Sequence, residues 1–100
     1  MKLLTQELLQ KLPPLYATEH VDDPMVICKF FYPDFSWSWY AIEFDGQDIC
    51  FGFVDGDFPE LGYFSLVELQ NTRGKWGLPI ERDLHFKPRR LSVLRAELGR

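Results

Sequence analysis

The stretch Trp37-Ser38-Trp39-Tyr40-Ala41-Ile42-Glu43-Phe44-Asp45-Gly46-Gln47-Asp48-Ile49-Cys50-Phe51-Gly52-Phe53-Val54 decides the fold. It holds two β-prone runs around a turn signal. In the first, Trp37 to Phe44, strand alternation puts Trp37, Trp39, Ala41 and Glu43 on one face and Ser38, Tyr40, Ile42 and Phe44 on the other. Asp45-Gly46 predicts a two-residue hairpin turn, because the turn needs positive φ, which Gly adopts freely and Asp tolerates. The second run, Asp48 to Val54, places Ile49, Phe51 and Phe53 opposite Cys50, Gly52 and Val54. Large rings stand on both faces of the first run. A stripe of that kind reads as core, with an exposed recognition surface on the Trp37 and Trp39 side as the competing reading.

Outward from this hairpin, Met25 to Tyr32 predicts a preceding strand that Pro33 ends. Asp55-Gly56-Asp57 predicts a break, and the segment to Gly62, with Pro59, reads as loop. Ile80 to Phe86 is a candidate fourth strand. Thr5 caps a short helix to Leu12, with Leu8, Leu9 and Leu12 on one face and Pro13-Pro14 preventing continuation. Ser65-Leu66-Val67-Glu68 has capping-box spacing and predicts a helix to about Asn71. Pro88 opens a last helix whose face is Leu91, Leu94 and Leu98 and whose end is Gly99. The fold class is α+β: a small antiparallel sheet, a meander of three to four strands, flanked by short N-terminal, central and C-terminal helices.

One hundred residues with 46% hydrophobic and 26% charged content exclude disorder and low-complexity architectures and predict one compact domain over residues 1–100. The apolar runs are too short to span a membrane. Met1 to Leu4 begins like a leader, but Gln6, Glu7, Gln10 and Lys11 interrupt it, so a cytoplasmic location is expected. In that reducing compartment Cys28 and Cys50 read as thiols.

Charge is unevenly spread. From Ala17 to Glu68 eleven acidic residues face one base, Lys29, for a net −10; from Leu69 to Arg100 eight bases face three acids, for +5. Such halves either neutralise each other through surface pairs or present an acidic side that steers a basic partner onto it. The acidic side nominates Asp45, Asp48, Asp55 and Asp57, with Trp37 and Trp39, as protein-interaction residues. The basic segment offers Arg73, Lys75, Lys87, Arg89 and Arg90 to phosphates, with Trp37, Trp39 or Tyr40 stacking on bases.

Chemical machinery is thin. Ser65 lacks the glycine pattern of a nucleophile elbow and reads as a cap, and both cysteines fall in predicted strands, where thiols behave as small apolar groups. His20, Asp22 and Asp23 form the one local cluster of metal-ligand types, without zinc or calcium spacing. No glycine-rich loop opens a helix, so no nucleotide cofactor, and no other cofactor, is implied. Glu81-Arg82-Asp83 is the densest ionic triplet, read as a structural clasp with a ligand-facing Arg82 as the alternative.

The ordered series Lys11-Leu12-Pro13-Pro14-Leu15-Tyr16, Lys29-Phe30-Phe31, Trp37-Ser38-Trp39-Tyr40, Glu43-Phe44-Asp45-Gly46, Phe51-Gly52, Leu61-Gly62-Tyr63-Phe64-Ser65-Leu66 and Gly77-Leu78-Pro79-Ile80-Glu81-Arg82-Asp83 resembles a family of small bacterial proteins, domain of unknown function family 2958. The resemblance covers nearly the whole chain. It implies a passenger of plasmids, integrative elements and phages, carried among accessory genes that include antirestriction functions, and it brings no catalytic residues with it. The leading expectation is a non-enzymatic protein-binding module of a mobile element that modulates or inhibits a host defence or DNA-processing enzyme through an acidic face. The partner is then a protein of the host or of the element. The alternative is a nucleic-acid-binding accessory protein using the basic C-terminal segment. A small hydrolase or transferase working through Asp55, Asp57, Glu81 and Asp83 is the third reading.

Overall fold

A computed structural model describes residues 2–100; Met1, the start of the leader-like stretch, lies outside the described residues. Its centre is a five-stranded antiparallel sheet of β2 (Cys28–Phe31), β3 (Ser38–Phe44), β4 (Ile49–Asp55), β5 (Glu60–Ser65) and β6 (Glu81–Arg82), in the order β5-β4-β3-β2-β6. A separate two-stranded sheet joins β1 (Met25–Val26) to β7 (Arg89–Arg90). Three helices complete the α+β fold: α1 (Gln6–Lys11), α2 (Leu66–Asn71) and α3 (Leu91–Leu98).

Strand β3 is buried almost end to end because both faces of the sheet are covered. On one face Cys28, Phe30, Trp39, Ala41, Phe44 and Cys50 pack with Leu3, Leu12, Leu66, Leu69 and Ile80. On the other, Val26, Tyr40, Ile42 and Phe53 pack with Leu91 and Leu94 of α3. Simple alternation fails at one point. The register shifts between Ala41 and Glu43, where Ala41 pairs with Gly52 but Glu43 pairs with Phe51. This bulge turns Phe44 onto the Trp39 and Ala41 face and moves Glu43 to the face of Tyr40.

The predicted strand Met25 to Tyr32 is split at Ile27, whose N–H donates to the carbonyl of Ala41 at 2.9 Å. The segment to Gly62, read from sequence as loop, contains the first half of β5; Pro59 precedes the strand and so removes no ladder hydrogen bond. The candidate strand Ile80 to Phe86 shortens to β6 at the sheet edge. Thr5 caps α1 as expected, its hydroxyl accepting from the N–H of Leu8, but the helix buries no residue; Leu12, just past its end, carries the packing. Pro88 lies before β7 and not inside α3, which Gly99 closes at φ +72°.

The Asp45-Gly46 turn is longer than the two residues predicted. The N–H of Asp45 donates to the carbonyl of Ile49, and residues 45–48 form the loop, with Gly46 at φ +87°. One carboxylate organises it: Asp45 Oδ1 accepts from the N–H groups of Gln47, Asp48 and Ile49 at 2.8, 2.7 and 3.0 Å. These bonds hold the Asp45 carboxyl below the usual aspartate range. A depressed carboxylate contributes stability above its unfolded-state value and loses it as the pH falls through the folded value. Asp45→Asn is therefore expected to flatten the acid side of the stability profile, measured as denaturation midpoint against pH, while an unchanged acid limb would contradict this role.

Candidate functional site

The bulge that displaces Glu43 builds the candidate site. Glu43 is 3% exposed, the one buried charged side chain among the described residues. Its carboxylate accepts from the backbone N–H of Tyr16 at 2.8 Å and of Thr18 at 2.9 Å, and from the Thr18 hydroxyl. Pro13-Pro14 leads into this segment, and three turn bonds wind it: Ala17 to Pro14, Glu19 to Tyr16 and Val21 to Thr18. Tyr16 sits at φ +71°, a left-handed conformation uncommon for a non-glycine residue, held where its N–H meets the carboxylate.

Beside Glu43 lies a cleft of about 300 Å³. Its carboxylates are Glu19, Asp22 and Glu43, its rings Tyr16, Phe51 and Tyr63, and among the described residues no lysine, arginine or histidine lines it. Strand pairing puts Leu61 and Tyr63 of β5 on the face of Phe53 and Phe51, beyond the cover of α3. Tyr63 is 56% exposed. Its phenol is raised above its ordinary value by desolvation first, then by the neighbouring Tyr16 and the charges of Glu43 and Glu19. The cleft is an apolar floor in a negative field, and a desolvated cation over an aromatic ring gains from both.

The aspartates nominated from sequence do not form one face. Asp45 is committed to its turn, and Asp48 accepts from the Ser65 hydroxyl and the N–H of Val67, completing the cap of α2 that the Ser65 hydroxyl begins by accepting from Glu68. Asp55 pairs with Arg100 at 3.1 Å, the one ion pair among the described residues that joins the acidic central segment to a C-terminal base. Asp57 accepts from the indole N–H of Trp37 at 3.3 Å. Trp39 is buried at 7% exposure, and Trp37 packs over Gly56, where an added Cβ would come within 2.9 Å of the indole. Tyr40 is core as well.

In the triplet Glu81-Arg82-Asp83, Glu81 sits in the edge strand β6, and Arg82 donates to the carbonyls of Lys2 at 2.7 Å and Leu3 at 3.0 Å, fastening the N-terminal segment. Asp83 receives the N–H of His85 and stands 3.9 Å from Lys29. The five bases are scattered. Arg89 holds Glu97 with two bonds, Arg90 donates to the carbonyl of Asp23, and Arg73 donates to the carbonyls of Gln70 and Thr72. Lys75 lies 5.6 Å from the ring of Trp76. Lys87 is exposed. Both thiols are buried and free, with Cys28 pushed up to about 12 by desolvation, far from the range of a reactive thiolate. Asp23 of the His20-Asp22-Asp23 cluster is spent on Ser92, accepting its N–H and hydroxyl at the start of α3. Among the described residues no group of three metal-ligating side chains converges, and no helix is long and apolar enough to cross a membrane.

Residues 3–97 match the model of a family described as a protein of unknown function, DUF2958. The chain belongs to the DUF2958 family. The matched span takes in every residue lining the cleft and both cores, so the site lies within the DUF2958 domain. No match is found among curated proteins or among solved structures. Sequence reasoning missed Glu43, Tyr16 and Glu19 as site residues of this DUF2958 chain. The available signal was Glu43 itself, a carboxylate inside an otherwise apolar strand.

Proposed function

We propose that this DUF2958 protein is a non-enzymatic, cytoplasmic protein-binding module of a mobile genetic element. Its cleft beside Glu43 seats a lysine or arginine of a host defence or DNA-processing enzyme, or of an element-encoded protein. One observation carries the reading: three carboxylates and three rings line one cleft that no base enters. The acidic face is thus assigned to Glu19, Asp22 and Glu43 in place of Asp45, Asp48, Asp55 and Asp57, whose carboxylates are taken up by a turn, a helix cap, Arg100 and the Trp37 indole. Support for a non-enzymatic role comes from the same bonding. Glu43 is pinned by donors from two residues, and Ser65 and the cysteines are committed to a cap and to the core.

Glu19 and Asp22 are exposed, so Glu19→Lys with Asp22→Lys reverses the charge of the rim without touching the core. In quantitative capture from nuclease-treated lysate at matched salt, partner recovery is expected to fall at least about tenfold in the double variant, and wild-type association is expected to slow steeply as salt rises. Recovery equal to wild type would overturn the assignment.

A further inference from the structure

A second surface lies outside the cleft and answers to opposite chemistry. Phe35, 54% exposed, packs edge-on against half-buried Tyr32 at 5.6 Å, and Tyr32 in turn meets buried Trp39 at 5.4 Å, so the exposed ring is anchored to the core. Beside it stands the loop from Arg73 to Pro79, which closes on itself. Arg73 and Pro79 form a bridge, the N–H of Gly74 donates to the carbonyl of Leu78 at 2.8 Å, and the N–H of Trp76 donates to Asp34 Oδ2 at 2.8 Å. The loop is pressed so close to Asp34 that a Cβ on Gly74 would fall 1.6 Å from its Oδ1. Trp76 is therefore presented by a tied loop, with 73% of its surface exposed. A cleft of about 340 Å³ lies between Tyr32, Phe35, Arg73, Gly74 and Lys75.

The bases of this corner, Arg73 and Lys75, make no ion pair among the described residues, whereas Lys11, Lys29, Arg89 and Arg100 are paired. The one carboxylate under the loop, Asp34, accepts from the N–H of Trp76. Arg73 uses only Nη1 on the end of α2, leaving its remaining guanidinium donors without a hydrogen-bond partner among the described residues. Flat exposed rings beside cations that lack a carboxylate partner are what a single-stranded nucleic acid needs: π-faces for unstacked bases and point charges for phosphates. Base-paired DNA offers no such open faces. We propose that the Phe35, Arg73, Lys75 and Trp76 corner binds single-stranded nucleic acid, with bases on Phe35 and Trp76 and phosphates on Arg73 and Lys75. Of the rings first considered for stacking, Trp39 and Tyr40 are core and Trp37 is half-buried and bonded to Asp57, and Arg89 is paired with Glu97, so this corner replaces the longer basic stripe.

The test is fluorescence anisotropy of the full chain with labelled ten-nucleotide dT and rU strands and a labelled dA·dT duplex of equal length. Both single strands are expected to bind, and the duplex more weakly. Trp76→Ala and Phe35→Ala are each expected to weaken single-strand binding about tenfold. Arg73→Gln with Lys75→Gln is expected to reduce the slope of log affinity against log salt by about 1.4, from about 0.7 per phosphate contact. Lys87→Gln, at an exposed base away from the corner, is expected to leave binding unchanged. A preference of dT over rU or the reverse identifies which nucleic acid is taken. No binding, equal binding of the duplex, or wild-type affinity in the Trp76→Ala protein would overturn the proposal. Circular dichroism verifies that these exposed-site variants are folded, and the Glu19→Lys, Asp22→Lys protein separates this surface from the cleft because its charge change leaves the corner intact.

Discussion

Glu43→Ala is expected to destabilise the protein by at least about 3 kcal/mol, because a hydrogen bond to a charged acceptor is worth roughly 1.5–3 kcal/mol and several are lost together, less whatever the freed donors recover from water. The loss falls on a defined set of groups. The N–H groups of Tyr16 and Thr18 lose their acceptor, and so does the Thr18 hydroxyl. With it goes the constraint that keeps Tyr16 at positive φ, so the turns over residues 14–21 loosen and the cleft loses a wall. For a domain of this size a loss of that order lowers the melting temperature by roughly 12–24 °C. Chemical and thermal denaturation followed by circular dichroism measure it. Glu43→Gln keeps one acceptor oxygen but turns an amide donor toward donors, so it is expected to fall between wild type and alanine. A wild-type melting curve for Glu43→Ala would mean that the carboxylate does not hold this segment.

Gly52→Ala is the second large effect, and it acts on the sheet and not on the site. A Cβ there would lie 1.8 Å from the carbonyl oxygen of Tyr40 and 2.9 Å from its carbon. Those are backbone atoms of β3, a strand packed on both faces, so the neighbour has nowhere to move. Overpacking a core costs about 1–3 kcal/mol where side chains can adjust, and this backbone collision is expected at or above the top of that range. The control lies directly across the ladder. Gly62 pairs with Gly52 in β5 and has nothing within 4 Å of its Cβ position, so Gly62→Ala is expected to change stability by less than about 0.5 kcal/mol. Equal effects from the two substitutions, read as denaturant midpoints, would contradict the register of β3 on β4.

Much of this fold was legible from local chemistry. Thr5, Ser65 and Gly99 each sit where their capping roles require, because a cap is satisfied within a few residues of itself. The β3 and β4 runs were legible because their rings and branched residues recur along one uninterrupted stretch. The bulge at Ile42 was not, since inserting one residue costs no recognisable motif, yet it decides which face Glu43 and Phe44 occupy. The strand β5 was obscured by Pro59 and Gly62, which act as breakers only when they lie inside a ladder that needs a side chain or an N–H. The site was hidden for the same reason. Its acids, Glu19, Asp22 and Glu43, come together only after the bulge and the positive φ at Tyr16 fold the N-terminal segment back on the sheet. The hairpin aspartates were conspicuous by density, but Asp45 and Asp48 are dense because a turn and a helix start both need acceptors there.

Site-specific photocrosslinking in cells expressing the protein reads directly whether the Glu43 cleft receives a basic side chain of a partner protein. A benzoylphenylalanine in place of Tyr63, exposed at the cleft, is compared with one in place of Gln10, exposed on α1. A protein adduct is expected from position 63 alone, with a lysine or arginine in the crosslinked segment of the partner, and it is expected to be lost when Glu19→Lys and Asp22→Lys are added. No adduct from position 63, adducts of equal yield from both positions, or an adduct indifferent to the reversed charges would contradict this assignment of the cleft.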